Sequence, residues 1–298
     1  MKSRATVHIR CKRGWCRPGR SDGRREGGSI GMTTRRVLVL GDGVIAREIV
    51  RSLSAAGERL TSFVAEEPLV AKPRDRLQAV RELMQTVEMR TFDAVLIAFG
   101  AERDTVREIV REVERRMGPE ALLLVSALGV SVTEAASWCV EPKRVVGFGY
   151  VPPLADVTCV EAASGLRTDS DVAERAHAML QAGLGRDIVW VKDSVGLVIP
   201  RMVAMVINEA AYALQEGIAQ AEDLDTAMKL GTNYPYGPLE WADVIGVEQV
   251  TAILQGLYAE QGEDRFRPAP LLKRLAWAGQ TFYGRREEEQ ADARGGHY

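Results

Sequence analysis

No apolar run in the 298 residues reaches the roughly 18 expected of a membrane span, which excludes a transmembrane helix. The four cysteines are too few and too scattered to form a disulfide framework. Cys11 and Cys16 lie near the start, Cys139 and Cys159 in the body, and free thiols in a reducing cytoplasm are expected. Histidine is scarcer still, with His8, His177 and His297 only, and no group of them has metal-ligand spacing. Neither charge sign dominates. The net charge is −2, so the chain as a whole has no nucleic-acid footprint. The exception is residues 1–31, where nine Lys/Arg face two Asp/Glu among six glycines. That segment lacks apolar periodicity and the core of a secretory signal, and it is expected to be disordered. It reads as a basic tail over 1–34, or as residues upstream of a start at Met32.

What remains is a globular composition, 46% hydrophobic and 27% charged, long enough for two ordinary domains. The stretch that organises it is RVLVLGDGVIAREIVRSLSAAG, Arg36 to Gly57. Val37 to Leu40 read as a buried parallel strand, broken at Gly41-Asp42-Gly43. A helix follows with Ile45, Ile49, Val50 and Leu53 on one face and Gly57 as its C-terminal stop. The pattern is G-x-G-x-x-A, carried by Gly41, Gly43 and Ala46. Gly41 permits the tight turn, Gly43 lets backbone approach a pyrophosphate, and Ala46 keeps helix and sheet close. The helix N-terminus, through Val44 and Ile45, offers free N–H groups to the phosphates. A dinucleotide site is therefore expected at Gly41, Gly43, Val44, Ile45 and Ala46. The second strand, Arg59 to Val64, ends just before Glu66, the candidate for the ribose hydroxyls. No arginine stands there for a 2′-phosphate, so NAD is favoured over NADP.

Strands are expected at 92–99, 122–126, 144–149, 156–162 and 187–192, alternating with helices at 74–89, 105–117 and 169–182. This alternation predicts a doubly wound parallel sheet of Rossmann type over 35–193. From 194 to 284 the pattern turns all-α, with helices at 200–219, 222–230, 240–260 and 271–278 and a frayed tail over 285–298. The helix at 200–219 is apolar on several sides and suits a core or a dimer interface. A ligand is expected between the two halves.

Three segments of the helical half carry a family resemblance: Glu222 to Gly231 (EDLDTAMKLG), Asn233 to Leu239 (NYPYGPL) and Ala242 to Gly246 (ADVIG). With Arg267 to Leu272 and Phe282 to Gly284 they resemble the C-terminal domain of the 3-hydroxyacyl-CoA dehydrogenases, and the likeness covers residues 35–284. The resemblance implies a cytoplasmic NAD-dependent oxidoreductase of fatty-acid metabolism. It implies a homodimer formed through the C-terminal helices, acting on a 3-hydroxyacyl-CoA or similar hydroxy acid.

The same resemblance shows departures. The family's catalytic histidine falls at Gly149, its substrate-side serine finds no serine in Ser126 to Gly129, and its asparagine falls at Pro200. Its acidic residue at the end of the strand over 92–99 falls at Ile97. The glutamate that orients the histidine is matched by Glu161. Glu161, acting through water, and Tyr150, with a lowered pKa, are the candidate replacement catalysts. The alternative is a binding protein that keeps the NAD and acyl-CoA sites without hydride chemistry. A positioned base contributes roughly 10²–10⁴-fold, so its absence changes the mechanism rather than trims it.

Overall fold

The computed structural model describes residues 34–65, 73–100 and 103–284. His8, Cys11, Cys16, Met32, Glu66 and His297 lie outside them.

The organising stretch folds as expected. β1 (Arg36–Asp42) runs into α1 (Gly43–Ala55), and Gly57, at φ +80°, sends the chain into β2 (Arg59–Ala65). The units that follow are α2 (Pro73–Thr86), β3 (Ala94–Ala98), α3 (Arg103–Glu114), β4 (Leu122–Ser126), a short α4 (Val132–Ser137) and β5 (Val145–Gly149). β6 (Cys159–Ser164), α5 (Ser170–Leu184) and β7 (Asp187–Val191) complete a seven-stranded sheet in the order β2-β1-β3-β4-β5-β6-β7.

Period-two alternation sorts the strand side chains onto two faces. Val37, Val39, Leu96, Leu124 and Phe148 pack on one face with α1 and α5. Leu38, Leu40, Val95, Ile97 and Leu123 pack on the other with α2 and α3. Both faces are covered, which is why β1, β3 and β4 are near-continuous apolar runs.

One strand pairing departs from the all-parallel expectation. β5 and β6 pair antiparallel, Gly149 opposite Glu161, although every other neighbouring pair is parallel. A parallel return needs a crossover of about a dozen residues or more. Residues 150–158 are too short for one, and they spend part of their length in a 3-10 turn at Leu154–Asp156. The strand expected from Asp156 therefore starts at Cys159.

The helical half comprises α6 (Ile199–Gln215), α7 (Ala221–Thr232), α8 (Pro238–Ile245), α9 (Val247–Gln261) and α10 (Pro270–Ala278). The single helix expected over 240–260 is broken at Gly246, whose φ of +99° no helix accommodates. Buried residues of α6, α8 and α9, among them Ile207, Trp241 and Leu254, join the cluster on the α1/α5 face without interruption. No helix among the described residues is long and apolar enough to cross a membrane.

Candidate dinucleotide and substrate site

The sheet order reverses between β2-β1 and β3, so the connections leaving β1 and β3 part to opposite sides. Such a switch point, at the carboxyl ends of the strands, is where doubly wound sheets bind ligands. The glycine turn sits there. A Cβ on Gly41 would lie 2.5 Å from the Ala98 carbonyl oxygen and 2.6 Å from the Ala46 Cβ, so only glycine fits between β3 and α1. Gly43 has φ +67° and open space where its side chain would be. The N-terminus of α1 has no side-chain cap and no acid in its first turn. Its N–H groups thus keep their anion-binding capacity, and the turn fits a dinucleotide phosphate. Gly41, Gly43, Val44, Ile45 and Ala46 lie together at this turn, with the Ile45 and Ala46 side chains buried in the core.

Two residues with no local signature, Arg76 and Glu248, meet Asp42 at this turn. Asp42, between the glycines, accepts the Gly100 N–H at 2.7 Å and faces Arg76 of α2 at 3.2 Å, with both side chains about 95% buried. Burial pushes the Asp42 carboxyl up, while the Gly100 N–H and the Arg76 guanidinium oppose it. Glu248, on the first turn of α9, is pushed up by its own burial and by the nearby Asp42 charge.

On the other side of the sheet's carboxyl edge, the histidine position of the resemblance is closed. A Cβ on Gly149 would meet Leu128 Cδ2 at 2.9 Å and Leu197 Cδ1 at 3.1 Å. Both leucines are buried. The space beside them, lined by Gly149, Tyr150, Glu161, Ile199, Pro200 and Trp241, is a cavity of about 40 Å³. Glu161 uses both carboxylate oxygens on backbone: Val198 N–H donates to Oε2 at 2.8 Å and Ile199 N–H to Oε1 at 3.0 Å. It thereby caps the start of α6, whose own N-cap residue, Val198, offers no acceptor. Burial pushes its carboxyl up against the pull of those two donors.

Tyr150 is buried, with its hydroxyl 3.1 Å from Glu48 Oε2 and 3.3 Å from the Ile45 carbonyl. Burial, then the Glu48 charge, raises its pKa. That is opposite to the lowering a proton-donating tyrosine was expected to need: the hydroxyl ties β5 to α1 and holds its proton. Glu48, which also accepts the Leu154 N–H at 3.0 Å, has no signature in the sequence. His177 accepts the Trp190 indole N–H at 3.1 Å on the surface, far in role from catalysis. A larger cavity, about 180 Å³, lies where α9 crosses the ends of β3 and β4, lined by Phe99, Arg103, Ser126, Gly129, Gln255 and Ala259. Among the described residues no His/Cys/Asp/Glu group is disposed to hold a metal.

Comparison with known proteins bears on both halves of the chain. Residues 70–194 match the 3-hydroxyacyl-CoA dehydrogenase NAD binding domain and residues 196–290 the 3-hydroxyacyl-CoA dehydrogenase C-terminal domain. The first match begins after the glycine turn. A 3-hydroxybutyryl-CoA dehydrogenase of Bradyrhizobium diazoefficiens is 31% identical over 74% of this chain and 74% of its own length. A probable 3-hydroxybutyryl-CoA dehydrogenase of Bacillus subtilis is 33% identical over 66% of this chain and 69% of its own. Among solved structures, the (S)-3-hydroxybutyryl-CoA dehydrogenase of Ralstonia eutropha superposes with a TM-score of 0.64 at 25% identity, covering 86% of this chain and 97% of that one. With both halves matched in order and the fold shared, the chain belongs to the 3-hydroxyacyl-CoA dehydrogenase family.

Proposed function

We propose that the chain is an NAD-dependent oxidoreductase acting on a 3-hydroxyacyl-CoA or closely similar hydroxy acid. The observation that carries this is the glycine turn, shaped to accept a phosphate, in a chain with both halves of the family. Gly41, Gly43 and the N–H groups of Val44 and Ile45 would hold the pyrophosphate. NAD, when bound, supplies the hydride acceptor. The cavity beside Phe99 and Ser126, at the ends of β3 and β4, has room for part of an acyl-CoA, whose hydroxyl end would have to reach the smaller cavity beside Gly149. The chain's own residues do the rest differently from the family pattern. Gly149 and Leu128 offer no basic atom, and the Tyr150 hydroxyl keeps its proton while donating a hydrogen bond to Glu48. On this reading Glu161, the one carboxylate lining the smaller cavity, takes the hydroxyl proton through water.

We place the dinucleotide domain at 35–193 and the substrate and dimerisation domain at 194–284. Exposed Val198 at the start of α6 and Met202 on it, together with Leu230 and Trp277, support a homodimer through the helical half. The cytoplasm is the compartment this chemistry and the Cys139 thiol suit.

A second reading is favoured by the closure around Gly149. With Leu128 and Leu197 filling the histidine position and Pro200 buried beside it, the protein would bind NAD and acyl-CoA without efficient hydride transfer. The test is NADH oxidation with acetoacetyl-CoA by the full chain, beside NADH binding by fluorescence. Turnover at ordinary enzyme rates establishes the first reading. Binding without turnover on this or other 3-oxoacyl substrates establishes the second. Absence of binding refutes both.

A further inference from the structure

Asp42 is electrostatically out of place. A carboxylate between the two glycines of a pyrophosphate turn would stand next to two negative phosphates. It is turned away from the α1 N-terminus, makes no cap, and sits between the Gly100 N–H and Arg76. Arg76 is 5% exposed, yet its Nε and one terminal nitrogen find no hydrogen-bond acceptor among the described residues. A guanidinium has five donors in a planar fork, and burying it with donors unused is costly. Asp42 Oδ2, its ion-pair partner at 3.2 Å, is likewise without a well-formed hydrogen bond. The pair attracts but does not satisfy.

The place matters. Asp42 ends β1 and Gly100 follows β3, so the carboxylate bridges the two strands that flank the switch point. The helical half arrives at the same spot. Gln249 Oε1 lies 2.9 Å from where a Cβ on Gly100 would be, and Glu248 precedes it. A buried guanidinium with donors that find no acceptor among the described residues thus stands near an uncapped helix N-terminus, ion-paired with Asp42 and in the field of Glu248. That is an anion site filled from within.

We propose that Arg76 is a pyrophosphate ligand of the dinucleotide and that Asp42 is its internal stand-in, exchanged for a phosphate when the dinucleotide binds. A phosphate accepts the fork bidentately, which the carboxylate in its present pose does not. Asp42 then acts as a built-in competitor that sets cofactor affinity. This rests on the NAD reading above.

The experiment is NADH fluorescence titration of the full chain and the variants Asp42→Asn, Arg76→Gln and the double variant, with melting curves as folding controls. Asp42→Asn is expected to tighten NADH binding by about tenfold, and Arg76→Gln to weaken it by about tenfold or more, the size of one charge-assisted contact. The double variant decides. A phosphate ligand leaves it about tenfold weaker than Asp42→Asn alone. If Arg76 only neutralises Asp42, the double variant matches Asp42→Asn and the proposal is refuted. Arg76→Lys, which keeps the charge and loses the fork, serves if Arg76→Gln does not fold, and is expected to fall between. A loss confined to NADPH would assign Arg76 to a 2′-phosphate and overturn the pyrophosphate assignment. Wild-type binding that no variant changes overturns the proposal alone. Absence of NADH binding by all the proteins overturns the NAD reading and the proposal with it.

Discussion

Glu161 has two roles to tell apart, the cap observed and the base proposed, and they separate under substitution. Its two oxygens take the Val198 and Ile199 N–H groups at 2.8 and 3.0 Å, and the residue is 5% exposed. Truncation to alanine removes a helix cap, about 1 kcal/mol. It also leaves two donors that had charge-assisted partners, each about 1.5–3 kcal/mol, part of which water entering the small cavity restores. A net loss of about 3 kcal/mol is expected, a fall in Tm of roughly 6–12 °C for a chain of this size. Glutamine keeps one acceptor and turns an amide N–H₂ toward the other donor, so roughly half that loss is expected. Thermal and urea unfolding of the two variants, with unchanged m-values, provide the measurement. A melting temperature for Glu161→Ala within about 1 °C of the parent would refute the capping argument. The base role reads out elsewhere: Glu161→Gln would lose activity far beyond its modest stability loss, whereas a pure cap would lose the two together.

Three further outcomes follow from the packing and charges. Gly41→Ala would press a methyl group against the Ala98 carbonyl and Ala46, destabilising the fold by about 1–3 kcal/mol and weakening NADH binding in the same variant. Buried Glu114 is pushed up by burial, but Arg144 and the N–H groups of Glu141 and Val140 outweigh that and hold its carboxyl below the ordinary range. Its stabilisation is therefore present above the unfolded-state value and lost as pH falls through the folded-state one, and Glu114→Gln should narrow the gap between urea midpoints at pH 7 and at low pH. Cys139, its pKa raised to about 12 by burial and then by Glu114, should resist a thiol reagent at pH 8 until the protein unfolds, as measured in a chain whose other cysteines are serine.

Much of this fold is written locally. The run Val37 to Leu40, the glycines at 41 and 43 and the helix face Ile45, Ile49 and Leu53 each depend on neighbours within a few residues, so strand, turn and helix are all legible in the amino-acid order. The apolar character of β3 and β4 likewise announces a sheet covered on both faces. The direction of β6 is not legible that way. It depends on whether residues 150–158 can build a crossover, a question of chain length and of the 3-10 turn they adopt rather than of apolar pattern. The helix break at Gly246 is hidden for a related reason, because one glycine inside an apolar period reads as a tolerated cost until a positive φ shows it to be a turn.

The candidate site divides along the same line. The phosphate-facing part is a single contiguous turn, and its five residues announce themselves together. The proton-handling part is assembled from β4, β5, β6 and the start of α6, and there the sequence shows what Gly149 lacks but not what takes its place. Leu128 and Leu197 are 69 residues apart and meet only because the sheet brings both to the Gly149 backbone. Arg76 is hidden by the same logic. On α2 it is one of several arginines beside an apolar face, and only the folded chain brings it to Asp42. A carboxylate inside a phosphate turn therefore has its compensating charge on another element, and the cost of Asp42 to cofactor binding depends on a residue 34 positions away.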